Sequence, residues 1–294
     1  MSINFRLLSL PFLVSVFLIS CSKSEPVVKS DYITEVFEYV YAPGQQSAIA
    51  KKADISKFIG EPSVDKGCLH LGGFGGYVVA GFDHDVKNVE GLDFQVFAMK
   101  GAWPQPGVVY VMSDTNKDGQ PNDTWYELKG NQYKKSIRNY WVRYYRSEDD
   151  STNVTWLDSK GARGELVSGL GDKYTAGWWW ASSKADSITF TGTRLPDAFD
   201  VDANGSWTVP ADRFTWGYAK NLFGKDYDEV LGANSFDIDN AVAADGTPAE
   251  LTNIRFIKVQ TSVFQRAGWM NEISTEVMGA KDLNTKVKTT TPAQ

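Results

Sequence analysis

The run Asp114-Thr115-Asn116-Lys117-Asp118-Gly119-Gln120-Pro121-Asn122-Asp123 sets side-chain oxygens at alternate positions, with a glycine directly after the third. Alternate residues of a tight loop point inward together, and calcium takes roughly six to eight such hard oxygens. Gly119 permits the bend that turns the Gln120 carbonyl into the same shell. An EF-hand would need a bidentate acid at its twelfth position, which here is Trp125. The loop is therefore not an EF-hand, and Asp123 is the carboxylate available to close a shorter one. The expected calcium ligands are Asp114, Asn116, Asp118, the Gln120 carbonyl and Asp123. The alternative is an acidic turn held by Asx turns without metal. Asp200-Val201-Asp202-Ala203-Asn204-Gly205 and Asp237-Ile238-Asp239-Asn240 are weaker echoes, read as turns or surface loops before metal sites.

Aromatic residues are the second chemical signal. The run Gly177-Trp178-Trp179-Trp180 sits in a C-terminal half that also holds Trp156, Trp207, Trp216 and Trp269. In a strand, Trp178 and Trp180 would share one face and Trp179 the other. One face would be core, and the other could stack on a sugar or a flat ligand. For any single Trp, burial in the core is the stronger reading. The chain has 2 His, His70 and His84, which excludes a His-rich zinc site. Acids on both sides of His84 would raise its pKa. A Gly-x-Ser-x-Gly elbow, a phosphate loop and a dinucleotide fingerprint are all missing from the sequence. Carboxylate pairs for glycoside hydrolysis are always available among 36 acids, so their presence decides nothing.

Short strands must position these residues. Runs at 36–41, 77–82, 92–97, 107–112, 140–145, 188–191 and 254–259 are β-branched or aromatic, several alternate with period two, and they end at Gly, Pro, Asn or Asp. Gly72-Gly73-Phe74-Gly75-Gly76 lacks the lysine of a phosphate loop and reads as a β-turn or bulge. Helical periodicity is weak, with short helices expected near 48–58 and 217–223. Many strands without intervening helices predict an all-β fold, an antiparallel β-sandwich or jelly roll.

The N-terminus reads as an address. Arg6 precedes an apolar run from Leu7 to Ile19, and Leu18-Ile19-Ser20-Cys21 follows the bacterial lipobox pattern. This run is too short to span a bilayer as a helix. Residues 1–20 are expected to be a lipoprotein signal peptide, and 21–30 a flexible tether lipidated at Cys21. Residues 31–285 would form a single ligand-binding domain, and 286–294 a frayed tail. A lipidated Cys21 cannot pair with Cys68, which leaves Cys68 a lone thiol, expected in the core. A formal charge of -6 argues against nucleic acid as a partner, since phosphate binding needs clustered Lys and Arg.

Several segments, in order along the chain, resemble a family of Bacteroidetes-type cell-surface lipoproteins. They are Leu71-Gly-Gly-Phe-Gly-Gly-Tyr-Val-Val-Ala-Gly-Phe-Asp-His84, Pro106-Gly-Val-Val-Tyr-Val-Met-Ser-Asp114 and Gly119-Gln-Pro-Asn-Asp-Thr-Trp-Tyr-Glu-Leu128, with 190–196, 235–239 and 274–277. Where that family usually carries Asn-Gly-Asn-Gly, this chain has Asn116-Lys117-Asp118-Gly119. The resemblance implies an accessory ligand-binding protein encoded beside TonB-dependent outer-membrane transporters, in several cases at cobalamin-uptake loci. The pattern around Ser113 and Trp125-Tyr126-Glu127-Leu128 also resembles galactose-binding-like and carbohydrate-binding sandwiches. Fold likeness alone does not set the ligand.

The expected function is capture of a nutrient, first a corrinoid and second a glycan, by an outer-membrane lipoprotein with a structural calcium site. It would face the cell surface or the periplasm, be held by its lipid alone, and serve a TonB-dependent transporter. A calcium-dependent glycan-active enzyme and a purely structural adhesion module are the rival classes. Catalytic residues are not expected; Trp178, Trp179 and Trp180 are the expected ligand-binding residues.

Overall fold

The computed structural model describes residues 29–44, 47–50, 52–101, 103–147, 153–166, 185–210, 212–268 and 271–285. Cys21 and Trp178 to Trp180 lie outside these residues. The N-terminal half carries β1 (Glu35–Val40), β2 (Leu69–His70), β3 (Tyr77–Lys87), β4 (Phe94–Ala98), β5 (Gly107–Met112), β6 (Tyr126–Leu128) and β7 (Ile137–Tyr145). The middle carries β8 (Val154–Asp158), β9 (Arg163–Leu166), β10 (Ser187–Arg194), β11 (Asp200–Val201) and β12 (Trp207–Thr208). The remainder is β13 (Tyr227–Asp228), β14 (Ala233–Phe236), β15 (Ala241–Val242), β16 (Asn253–Thr261) and β17 (Glu276–Asp282). Among the described residues helix is confined to short turns such as Ser47–Ala50 and Ile55–Phe58. Among the described residues no helix is long and apolar enough to cross a membrane.

The fold is all-β and antiparallel in its strand ladders. A six-stranded sheet runs β1-β3-β16-β5-β6-β15, and a five-stranded sheet runs β13-β14-β4-β17-β2. Their inner faces share one core. Val78, Ala80 and Phe82 of β3, Val109 and Val111 of β5, and Ile257 and Val259 of β16 meet Phe94 and Val96 of β4 and Val277 and Ala280 of β17. This is the expected sandwich, with alternate residues of each strand turned inward. A four-stranded sheet, β10-β7-β8-β9, packs Tyr140, Val142 and Tyr144 against Val40, Phe74 and Phe190 in a second core.

The glycine-rich turn joins the two cores. A Cβ on Gly76 would lie 1.7 Å from the Leu71 carbonyl oxygen, so the backbones touch there. Residues 217–223 do not form the expected helix. Ala219 exchanges backbone hydrogen bonds with Gly107, and the Asn234 side-chain amide bonds both the backbone N–H and the carbonyl of Asn221. Those long-range bonds satisfy the segment in an extended course and override its weak helical pattern.

His84, on β3, is 5% exposed and lies between Asp83 (Nδ1 to Oδ1, 2.7 Å) and Asp282 of β17 (Nε2 to Oδ2, 2.8 Å). The hydrogen bond to Asp282 raises its pKa against the opposing effect of burial, and Asp83 adds to the rise. A histidine whose folded pKa exceeds its unfolded value contributes stability fully below about pH 6.5 and loses it as pH rises through the folded pKa. The melting temperature should therefore fall from about pH 6.5 upward more steeply in the wild type than in His84→Gln. Scanning calorimetry across that range tests this, and parallel curves for the two proteins would refute it.

Candidate functional site

The 114–123 loop joins β5 to β6. Two residues bend it through the left-handed region, Lys117 at φ 60° and Gly119 at φ 71°. Asp114 is mostly buried. Its Oδ2 accepts from the Gly119 amide at 3.1 Å, and its Oδ1 is buried without a hydrogen-bond partner. Asn116 Nδ2 donates to Asp118 Oδ2 at 3.1 Å and to Asn122 Oδ1 at 3.0 Å. The Asn122 amide and then the Gln120 backbone N–H hold the Asp118 carboxyl below its usual range. The positive end of the Asn116 amide thus occupies the space between oxygens that a cation would otherwise bridge. The Gln120 carbonyl accepts from Asn122 N at 2.9 Å. Asp123 is turned elsewhere: both its oxygens bind Thr115, one of them through the backbone amide at 2.9 Å. Asn122, which the sequence reading omitted, takes the position within the cluster. Among the described residues no three His, Cys, Asp or Glu side chains converge as on a metal ion. The donors in this loop are largely amide and carbonyl oxygens.

The echoes are turns. Asp202 caps the β11–β12 hairpin by accepting from Asn204 and Ser206, while Asp200 pairs with Arg213 at 2.7 Å. Asp237 caps a single 3₁₀ turn through the Asp239 amide.

Past the loop, the chain enters a cleft that the sequence did not reveal. Cross-strand register puts Lys258 of β16, Tyr110 of β5 and Glu127 of β6 in one row on the outer face of the six-stranded sheet. Thr191 to Thr193 of β10 form one wall, and Trp125 and Tyr133 stand at the rim of this cavity of about 250 Å3. The Thr193 hydroxyl donates to Glu127, and the Thr193 amide donates to the Tyr110 hydroxyl at 3.3 Å. Burial pushes the Glu127 carboxyl up, against the Thr193 bond and the charge of Arg138. Burial pushes the Lys258 ammonium down, against Glu38. That ammonium lies 4.3 Å from the Tyr77 ring centroid and 5.5 Å from that of Tyr110. Gln260 spends its amide nitrogen on the Gly75 and Thr191 carbonyls, and its Oε1 is buried without a partner, as is the Tyr133 hydroxyl. Half-buried ionisable groups, aromatic faces and unpartnered polar atoms in one cleft are the marks of a binding site. The signal in the sequence was a lysine inside the apolar run 254–259.

Two other cavities lie elsewhere on the described residues. One, of about 320 Å3, holds Asp226 and Asp237 beside Trp216. Burial pushes both carboxyls up. An acid and a base for hydrolysis need pKa values driven apart. The other, of about 370 Å3, places Trp156 and Phe264 with Arg194 and Arg266. Cys68, expected as a small core residue, is buried, and it touches His70 Nε2 at 3.5 Å. Burial alone would lower the His70 pKa, but its bonds to Cys68 and Glu276 lift it to about 9.

No protein-family model matches the chain, and no curated protein matches it.

Gly192 roofs the buried amide. A Cβ there would lie 2.2 Å from Gln260 Oε1. Gly192→Ala should push Gln260 off its two carbonyls and cost about 1–3 kcal/mol, as overpacking does. Thermal unfolding measures this, and an unchanged melting temperature would mean that the floor of the cleft is not closely packed.

Proposed function

We propose that the protein is an outer-membrane lipoprotein that captures a nutrient ligand in the Lys258–Tyr110–Glu127 cleft and passes it to a TonB-dependent transporter without turning it over. The observation that carries the reading is the cleft: one carboxylate, two cations, aromatic faces and the unpartnered Gln260 and Tyr133 oxygens line one cavity. Retaining and inverting glycosidases work with two carboxyl groups roughly 5–9.5 Å apart. Glu127 lacks a second carboxylate among the residues lining its cleft.

The family resemblance puts a corrinoid first. A cavity of about 250 Å3 falls below the roughly 300–1,000 Å3 that encloses a drug-sized ligand, so a corrinoid would seat one edge with its amide arms. A glycan is the second reading, favoured by Trp125 and Tyr110, whose rings suit a sugar face. Calorimetry with cyanocobalamin and a panel of host and plant glycans tests the reading. Saturable binding that Trp125→Ala weakens supports it; turnover of a glycan at about 1 per second or more would replace it with the enzyme reading.

Calcium belongs to this proposal as a structural ion. The buried, unpartnered Asp114 Oδ1 and the oxygens of Asn116, Asp118, Asn122 and Gln120 would make a donor set for a hard cation once the Asn116 and Asn122 amide nitrogens that now bind this cluster turned away. Asp123 would close the loop through Thr115 rather than ligate. Binding to the folded state alone adds about 2.7 kcal/mol at a hundredfold excess over Kd. Chelator should lower the melting temperature of the wild type and leave Asp118→Ala unmoved. A wild type indifferent to chelator would leave the Asx-turn reading. The anchor is tested by mass spectrometry of the native N-terminus, where a diacylglyceryl group on Cys21 is expected; a mature terminus elsewhere would remove the membrane assignment.

A further inference from the structure

We infer that the cleft grips its ligand by an anionic group, a carboxylate or a phosphodiester, seated between Lys258 and Arg138. The inference rests on the binding reading above and names the chemistry of what is bound.

The cleft is rich in donors. Among the described residues, neither Lys258 nor Arg138 has a carboxylate within ion-pair distance. Lys258 is instead held against the rings of Tyr77 and Tyr110. Arg138 stacks on Tyr133 at 4.6 Å from its centroid, which holds a long side chain in place before any ligand arrives. The Tyr110 hydroxyl accepts from the Thr193 amide, so its own proton is available to the cleft. The Tyr133 hydroxyl has no partner.

Acceptors are few. Both hydrogens of the Gln260 amide go to backbone carbonyls, and its orphaned oxygen lies beneath Gly192. Glu127 is the one carboxylate lining the cleft, and Thr193 Oγ1 donates to it. The Thr193 bond and the nearby Arg138 charge partly offset the carboxylate that an incoming anion meets. Lys258 is half removed from water with Glu38 as its counter-charge only from beyond ion-pair distance, and an anion in direct contact would recover more of that cost. A neutral amide or hydroxyl offers no such recovery. The chain as a whole carries -6, so the cationic cleft runs against its surroundings.

The test is calorimetry on the full chain with two pairs: cyanocobalamin against dicyanocobinamide, which lacks the phosphodiester together with its ribose and base, and trigalacturonate against galactotriose. In at least one pair the anionic member should bind about tenfold or more tighter, the gain expected of one charge-assisted contact. The pair that shows the difference identifies the source of the anion. Lys258→Met should abolish the preference, and Arg138→Gln should reduce it. Lys258→Met keeps the apolar stem and removes a half-buried charge, so its melting temperature should equal or exceed that of the wild type. Equal binding of both members of each pair, or an anion preference that survives Lys258→Met, would overturn the inference and leave the binding reading standing. Failure of all four compounds to bind would overturn both.

Discussion

Strand β16 is hydrogen-bonded along both edges, to β3 and to β5, and its register decides what each face of the main sheet carries. Ile257 and Val259 point into the shared core, while Phe256, Lys258 and Gln260 point out. A register shift between Ile254 and Phe256 lets Ile254 join the core despite its odd spacing. Because side chains alternate with period two, a slip of one residue would drive Lys258 into the sandwich and expose the isoleucine. Burying an unpaired ammonium there costs far more than the slip could recover. Core pattern and cleft are one constraint seen from two sides. The alternation that fills the sandwich also lines up Lys258, Tyr110 and Glu127 outside it.

This constraint explains which parts of the fold were legible in the sequence. Gly107–Met112 reads as a central strand because a β-branched run lies between turn residues, and β5 does lie between β16 and β6. Arg163–Leu166 and Glu276–Asp282 carry little of that signal: each contains glycine and charge, and partner strands and packing hold them as strands. The loop at 114–123 was legible because its spacing is local. The cleft was not, because its row draws on residues 110, 127 and 258, brought together by register alone. Asn122 escaped notice for a related reason. Side-chain alternation from Asp114 runs through 116, 118 and 120 to Asn122, but the carboxylate of Asp123 reads as the stronger ligand, and only the fold sends Asp123 to Thr115 and leaves Asn122 in the cluster.

Buried polar groups fix the second sheet as the apolar pattern fixes the first. Lys220, 2% exposed, lies 3.3 Å from Glu276 of β17, whose other oxygen is 3.4 Å from His70 of β2, which in turn meets Cys68. Buried charges persist in cores when paired, and loss of one partner strands the other. The chain from Lys220 to Cys68 therefore ties the non-helical 217–223 segment to the sheet edge. His84 pins the far end of β17 through Asp282. Both histidines of this protein serve one strand, and each has a structural role there.

The 114–123 loop and the cleft are joined by the same economy of chain. Strand β6 is three residues long, and its register against β5 rests on the pairs Tyr110–Glu127 and Val111–Tyr126. A strand so short contributes little of its own; its place depends on how tightly the preceding loop closes. Fixing each loose residue costs roughly 1–2 kcal/mol of backbone entropy, so a loop already ordered by its own hydrogen bonds, or by a cation, lowers the cost of setting Glu127 and Trp125. Two sites that share an ordering step are coupled, and each must favour the other to the same degree. An ion held at Asp114 and Asp118 would thus strengthen ligand capture without touching the ligand, by holding the carboxylate at one end of the cleft's floor in register with the lysine at the other.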